Sequence, residues 1–214
     1  MSEKSRFRVE DAYALRTPQD NVALYRDWAG TYEDGFVAEN DYVFPRRLAE
    51  IYAARAEPSA PALDVGAGTG LVGRALRGLG VETVDGLDIS PEMLAEAGRR
   101  GGYRRLIEAD LTQPLPLADG AYGGLISAGT FTLGHVGPEA LDELVRVAAP
   151  GALLALGVKR EHWEEAGFAE ALARLAAAGR LAPPETLEVR QYGPAATHEH
   201  KDDRAVVALA RRKD

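Results

Sequence analysis

The stretch Leu63-Asp64-Val65-Gly66-Ala67-Gly68-Thr69-Gly70-Leu71 decides how this 214-residue chain is read. An apolar run of strand length, 62–65, passes directly into three alternating glycines and then into a helical pattern near 70–79. A turn without side chains at the carboxyl end of a parallel strand lets a ligand lie against the backbone. The first crossover of a doubly wound sheet is where such ligands bind. A plain strand-to-helix turn accounts for one or two of these glycines but not for all of them in this context.

Downstream, strands are expected at 83–87, 104–108, 122–127 and 152–158, with helices near 91–100 and 138–148. That alternation marks a parallel α/β sheet. A helix carrying Trp163, Phe168, Leu172 and Leu175 follows. Strands at 187–192 and 205–210 come next, joined only by polar and turn residues, which reads as an antiparallel hairpin on one sheet edge. The expected fold is α/β: a doubly wound, mostly parallel, seven-stranded Rossmann-like sheet with a C-terminal antiparallel hairpin.

Upstream, residues 1–57 hold most of the aromatic residues and read as an N-terminal helical cap. Val22, Tyr25, Ala29, Tyr32 and Phe36 recur at helical steps, as do Phe44, Leu48, Ile51 and Tyr52, with a turn between them at 39–42. The segment Glu57-Pro58-Ser59-Ala60-Pro61 is a hinge, so that 1–57 forms a cap or lid and 58–214 the core of one compact domain.

Composition narrows the chemistry. With 46% hydrophobic and 27% charged residues the chain is an ordinary globular protein. Its 33 acidic and 25 basic side chains give a net charge of −8, which opposes steering toward a phosphate backbone and disfavours nucleic acid as a partner. The absence of cysteine removes disulfides, thiolate metal sites and thiol nucleophiles. The opening residues lack a signal-peptide pattern. The longest weakly polar run, 148–158, is shorter than the roughly 20 residues that cross a bilayer. The expectation is a soluble, cytoplasmic protein without a membrane partner.

Asp88 stands 22 positions after Gly66 at the tip of the second strand, near the offset at which an acidic side chain takes ribose hydroxyls. Ser90 and Pro91 supply the N-cap and first turn of the next helix, which leaves the Asp88 carboxylate for a vicinal diol. Asp85 is the nearer candidate for a merely solvated aspartate. Asp110 closes the third strand, where it either accepts from an exocyclic amine or forms an Asx-turn.

The run from Leu63 to Gly70, through Gly86-Leu87-Asp88-Ile89-Ser90-Pro91-Glu92-Met93-Leu94, to Ala109-Asp110-Leu111 resembles a class I S-adenosylmethionine-dependent methyltransferase over residues 62–158. The resemblance implies S-adenosylmethionine as cofactor. It puts the methionine part and ribose against Gly66, Gly68 and Gly70, the ribose diol on Asp88, and adenine at Asp110 and Leu111 between Ile89 and Met93. Asp64, Ala67 and Ser127, which flank the loop and end the fourth strand, and Tyr32 as an aromatic face for the sulfonium, complete the implied cofactor set. Tyr25 to Glu33 with Gly129 to Val136 is similar to methyltransferases of the Williams–Beuren syndrome region type. Gly123, where the family carries an acidic residue, and Pro150-Gly151-Ala152 depart from the pattern.

His135 follows the fourth strand in a glycine-flanked loop, and it either takes a proton from the acceptor or pairs with backbone and water. Lys159, Arg160 and His162 read as solvated, and Trp28 as a helical core residue. His198-Glu199-His200 has no partner set at metal-ligand spacing, so no metal is expected. The implied function is methyl transfer to a small-molecule acceptor. Two alternatives stay open: an NAD(P)-dependent oxidoreductase, since Gly68 to Gly73 also fits G-x-G-x-x-G, and a binding module that holds the cofactor without catalysis.

Overall fold

The computed structural model describes residues 30–132 and 136–214. One sheet contains β1 (Ala62–Val65), β2 (Val84–Asp88), β3 (Arg105–Glu108), β4 (Tyr122–Phe131), β5 (Ala148–Lys159), β6 (Glu185–Arg190) and β7 (Arg204–Arg211). Their order is β3-β2-β1-β4-β5-β7-β6. The first five strands pair in parallel, whereas β7 is antiparallel to both β5 and β6. A dinucleotide oxidoreductase of doubly wound order calls for a parallel strand where β7 lies. The strand order reverses between β1 and β4, and that switch point opens a crevice at the carboxyl edge.

Helices α1 (Phe44–Ala53), α2 (Leu71–Gly78), α3 (Pro91–Arg100), α4 (Leu141–Val147), α5 (Arg160–Ala166) and α6 (Phe168–Ala177) surround the sheet. Because side chains alternate along a strand, Leu125, Leu154 and Ala208 face α4 and α6, packing with Leu141, Leu144, Phe168 and Leu172. Their neighbours Ile126, Ala155 and Val207 face α1 and α2, packing with Phe44, Leu48, Tyr52 and Leu76. The helix expected around Phe44 and Tyr52 is thus part of the core.

Two sheet glycines let α1 lie this close. A Cβ on Gly124 would stand 1.9 Å from the Tyr52 hydroxyl, and one on Gly157 would stand 2.4 Å from the Phe44 ring. Burial pushes the Tyr52 phenol up to about 12. At Gly123, a Cβ would meet Ala60 at 2.5 Å, which explains why no acidic side chain occupies the position.

Several boundaries differ from the sequence expectation. The helix expected through Trp163 and Leu175 breaks into α5 and α6, because Gly167 adopts a φ of +78°. β4 runs on past Ser127 to Phe131 through a register irregularity. β5 begins at Ala148, although regular pairing resumes only at Leu153, near the expected start. β6 ends at Arg190, not 192, since the Gln191 carbonyl turns away to accept from the N–H groups of Val43 and Phe44.

Gly157→Ala is expected to destabilise the chain by about 1–3 kcal/mol through overpacking. Thermal unfolding should show a melting point lower by roughly 2–4 °C per kcal/mol. An unchanged melting point contradicts the tight seating of α1.

Candidate active site

At the carboxyl edge, the switch point holds a cavity of about 180 Å³, far above the roughly 10–15 Å³ that one water requires. Gly66, Ala67 and Gly68 of the loop after β1 form its floor, Asp88 and Ile89 follow β2, Met93 comes from α3, and Asp110 and Leu111 follow β3. Thr130 and Thr132 close it from the end of β4.

The loop glycines serve different purposes. Gly66 has a φ of +76°, and a Cβ there would lie 1.8 Å from Thr130 Oγ1, whose hydroxyl donates to the Val65 carbonyl. Gly68 has a φ of +52° and no atom within 4 Å of a Cβ position, so its bare backbone faces open cavity. Gly70 does not line the cavity: with a φ of +94° it caps α2 and packs against the Tyr103 ring.

Asp88 is fixed by backbone donors. Its Oδ2 accepts from Gly68 N–H at 2.8 Å and its Oδ1 from Ser90 N–H at 2.9 Å. The Ser90 hydroxyl accepts from Met93 N–H and caps α3, as expected. Burial pushes the Asp88 carboxyl above its ordinary value, against the pull of the Ser90, Gly68 and Ile89 N–H groups. Each carboxylate oxygen keeps a further lone pair for a hydroxyl donor. Asp110 does form the Asx-turn, with Oδ1 accepting from the N–H and hydroxyl of Thr112, yet it also lines the cavity.

Besides Gly70, two further expected cofactor residues stand elsewhere. Asp64 is fully buried away from the cavity, where it accepts from the Tyr103 hydroxyl at 2.6 Å; that hydroxyl in turn accepts from Gly73 N–H. Desolvation raises the Asp64 carboxyl to about 7, although the Tyr103 bond pulls the other way. Ser127 is buried too, and its hydroxyl donates to the Val65 carbonyl at 2.7 Å. Both stitch the sheet beneath the loop. Asp85 is not solvated but buried, paired with Arg104, Arg105 and Tyr122; their hydrogen bonds outweigh desolvation and hold its carboxyl low.

Tyr32 lines the cavity. Trp28 and His135 lie outside the described residues, although Thr132 and Val136, on either side of the His135 loop, are cavity residues. Lys159 is not solvated: it is 6% exposed, with Nζ 3.4 Å from Asp203. The His162 ring is hydrogen-bonded to the Val136 carbonyl at 2.9 Å. His200 lies 3.4 Å from Asp203, and among the described residues no group of three metal-ligating side chains converges.

Sequence reading missed Phe36, Tyr42, Gln191 and Tyr192, all on the cavity wall. It also missed Glu33, which accepts from the Thr69 hydroxyl at 2.7 Å, from Arg74 at 2.7 Å and from Arg100 at 3.0 Å. Only the helical spacing of Tyr32 and Phe36 hinted at this group.

The chain matches the methyltransferase domain family model over residues 63–156. It is 36% identical over 156 residues to human methyltransferase-like protein 27, covering 71% of this chain and 62% of that protein. It is 32% identical over 144 residues to a demethylmenaquinone methyltransferase of Beutenbergia cavernae, covering 65% and 58%. The chain thus spans about three fifths of the length of these curated relatives. In fold it is similar to a TehB-like S-adenosylmethionine-dependent methyltransferase of Corynebacterium glutamicum, with a TM-score of 0.63, 21% identity, and coverage of 89% and 99%.

The buried Asp64 carboxyl retains its proton in the native chain over a range where the unfolded chain has released it, so it contributes stability that is lost as pH rises from about 4 to about 7. Asp64→Asn should remove this loss. In calorimetric unfolding, the melting point of the variant relative to wild type should climb between pH 5 and pH 8. Parallel curves contradict the assignment.

Proposed function

We propose that this chain, whose residues 63–156 belong to the class I S-adenosylmethionine-dependent methyltransferase family, binds S-adenosylmethionine and methylates a small-molecule acceptor. The observation that carries the reading is the pairing of a bare backbone at Gly68 with a carboxylate fixed beside it. A ribose diol suits Asp88 well. Its two oxygens are held in one plane by main-chain donors, and its desolvated charge gains from two further hydroxyl donors. Ile89, Met93 and Leu111 offer apolar faces for adenine, and Asp110 Oδ2, which has no hydrogen bond among the described residues, suits the exocyclic amine.

S-adenosylmethionine supplies a methyl group on a cationic sulfur, to be taken in line by an acceptor lone pair as the carbon–sulfur bonding pair returns to sulfur. The chain's own part is mostly alignment and exclusion of water. Tyr32 and Phe36 stand over the cavity in the segment Glu33 ties to Thr69, Arg74 and Arg100, so this end of the 1–57 region acts as a lid fastened to the cofactor loop. His135 is the proposed base for an acceptor O–H or N–H. The relative named for demethylmenaquinone supports a small-molecule acceptor.

Asp88→Ala should weaken S-adenosylhomocysteine binding by about 10–100-fold in titration calorimetry, the loss of one or two charge-assisted hydrogen bonds. A variant that folds normally and binds with unchanged affinity removes the ribose assignment.

A further inference from the structure

We infer that Gln191 selects the methyl acceptor, its side-chain amide donating from Nε2 to an oxygen of that molecule; this rests on the methyltransferase reading above. The residue lines the cavity immediately after β6, yet only 6% of it is exposed. Its main chain is spent inside the protein. The N–H donates to the Asp203 carbonyl at 3.0 Å, and the carbonyl accepts from the N–H groups of Val43 and Phe44 at 3.0 and 3.1 Å. These bonds tie the end of β6 to the approach of β7 and to the start of α1, so the side chain leaves from a fixed point.

The amide at its end is not engaged in this way. Nε2 is closed to water and has no hydrogen-bond partner among the described residues. A buried donor in that state costs stability, because it has given up its hydration without gaining an acceptor. An apolar side chain of similar volume would fill the same space without that penalty, so the amide is explained by what it meets when the cavity is filled. The torsion that carries it is broad, and a turn about it brings the N–H groups to a ligand atom. Nearby cavity hydroxyls are already taken: Thr69 donates to Glu33 at 2.7 Å and Thr130 to the Val65 carbonyl at 2.9 Å.

Position assigns the amide to the acceptor and not to the cofactor. Asp88 and Asp110 follow β2 and β3, whereas Gln191 follows β6, with β1, β4, β5 and β7 between β2 and β6 in the sheet. Since β7 is antiparallel to both its neighbours, β6 runs in the direction of β5 and ends at the same carboxyl edge. Nε2 can only donate, so the group it recognises carries a lone pair, as a carbonyl oxygen does. A site built on such a bond rejects the analogue that lacks it.

The test uses the full chain saturated with S-adenosylhomocysteine and two neutral probes of matched shape, cyclohexanone and methylenecyclohexane, titrated by NMR. In Gln191→Met the ratio of their affinities should move against the ketone by about five- to ten-fold, the loss of one hydrogen bond from a buried donor. S-adenosylhomocysteine affinity should stay within about two-fold, and the melting point without ligands should equal or exceed that of wild type, since an orphan donor has gone. In wild type, the ketone and not the alkene should shift the Gln191 side-chain amide resonances. An unchanged ratio, absent ketone binding or unshifted amide resonances overturn the inference. A melting point lower by several degrees, or a variant that fails to fold, marks the amide as structural and overturns it too, as does S-adenosylhomocysteine binding weakened about ten-fold, which moves the amide onto the cofactor. Retained S-adenosylhomocysteine binding without the ratio change removes Gln191 alone, whereas the ratio change in a chain that never binds S-adenosylhomocysteine removes the methyltransferase reading and leaves the amide site.

Discussion

The hydrogen bond from Gly68 N–H to Asp88 Oδ2 is the contact on which the site depends. It joins the loop after β1 to the tip of β2 at 2.8 Å, and so fixes the bare main chain at Gly68 relative to the carboxylate proposed to hold a ribose. Around it, each neighbouring contact preserves the same geometry. Thr130 and Ser127 donate to the Val65 carbonyl and hold the strand end, Ser90 ties the other Asp88 oxygen to the start of α3, and Glu33 reaches Thr69 from above. A binding site arranged before its ligand arrives loses less freedom on association.

Three aspartates on β1 and β2 show how far neighbours, not residue type, set the electrostatics. Asp85 is held low by two guanidinium groups and a phenol despite burial. Asp64 has only the Tyr103 hydroxyl, so desolvation wins and its carboxyl rises to about 7. Asp88 is raised as well, by burial against the pull of its main-chain donors, but it faces the cavity. The first anchors β3, the second supports α2, and the third faces the cavity.

Much of this was legible in the sequence. The strand, the glycine loop and Asp88 follow from period and spacing, because local chain geometry dictates them. The terminal hairpin was readable from the missing helix between Leu187 and Ala205. What sequence could not separate was purpose among similar residues. Gly66 makes room for Thr130 and Gly70 for a left-handed cap, while only Gly68 opens to the cavity. Asp64 lies within β1 and Asp88 ends β2, yet only Asp88 lines the cavity, while Tyr103 captures Asp64. The aromatic wall was the least accessible. Tyr42 and Tyr192 are 150 positions apart and meet only because the chain after β6 folds back to the start of α1.

The most direct measurement is a crystal structure of the chain grown with saturating S-adenosylhomocysteine. Density is expected along Gly66 to Gly68, with both ribose hydroxyls within hydrogen-bonding distance of Asp88 and the sulfur directed toward Tyr32. A nucleoside bound elsewhere, or a ribose turned away from Asp88, would contradict this placement.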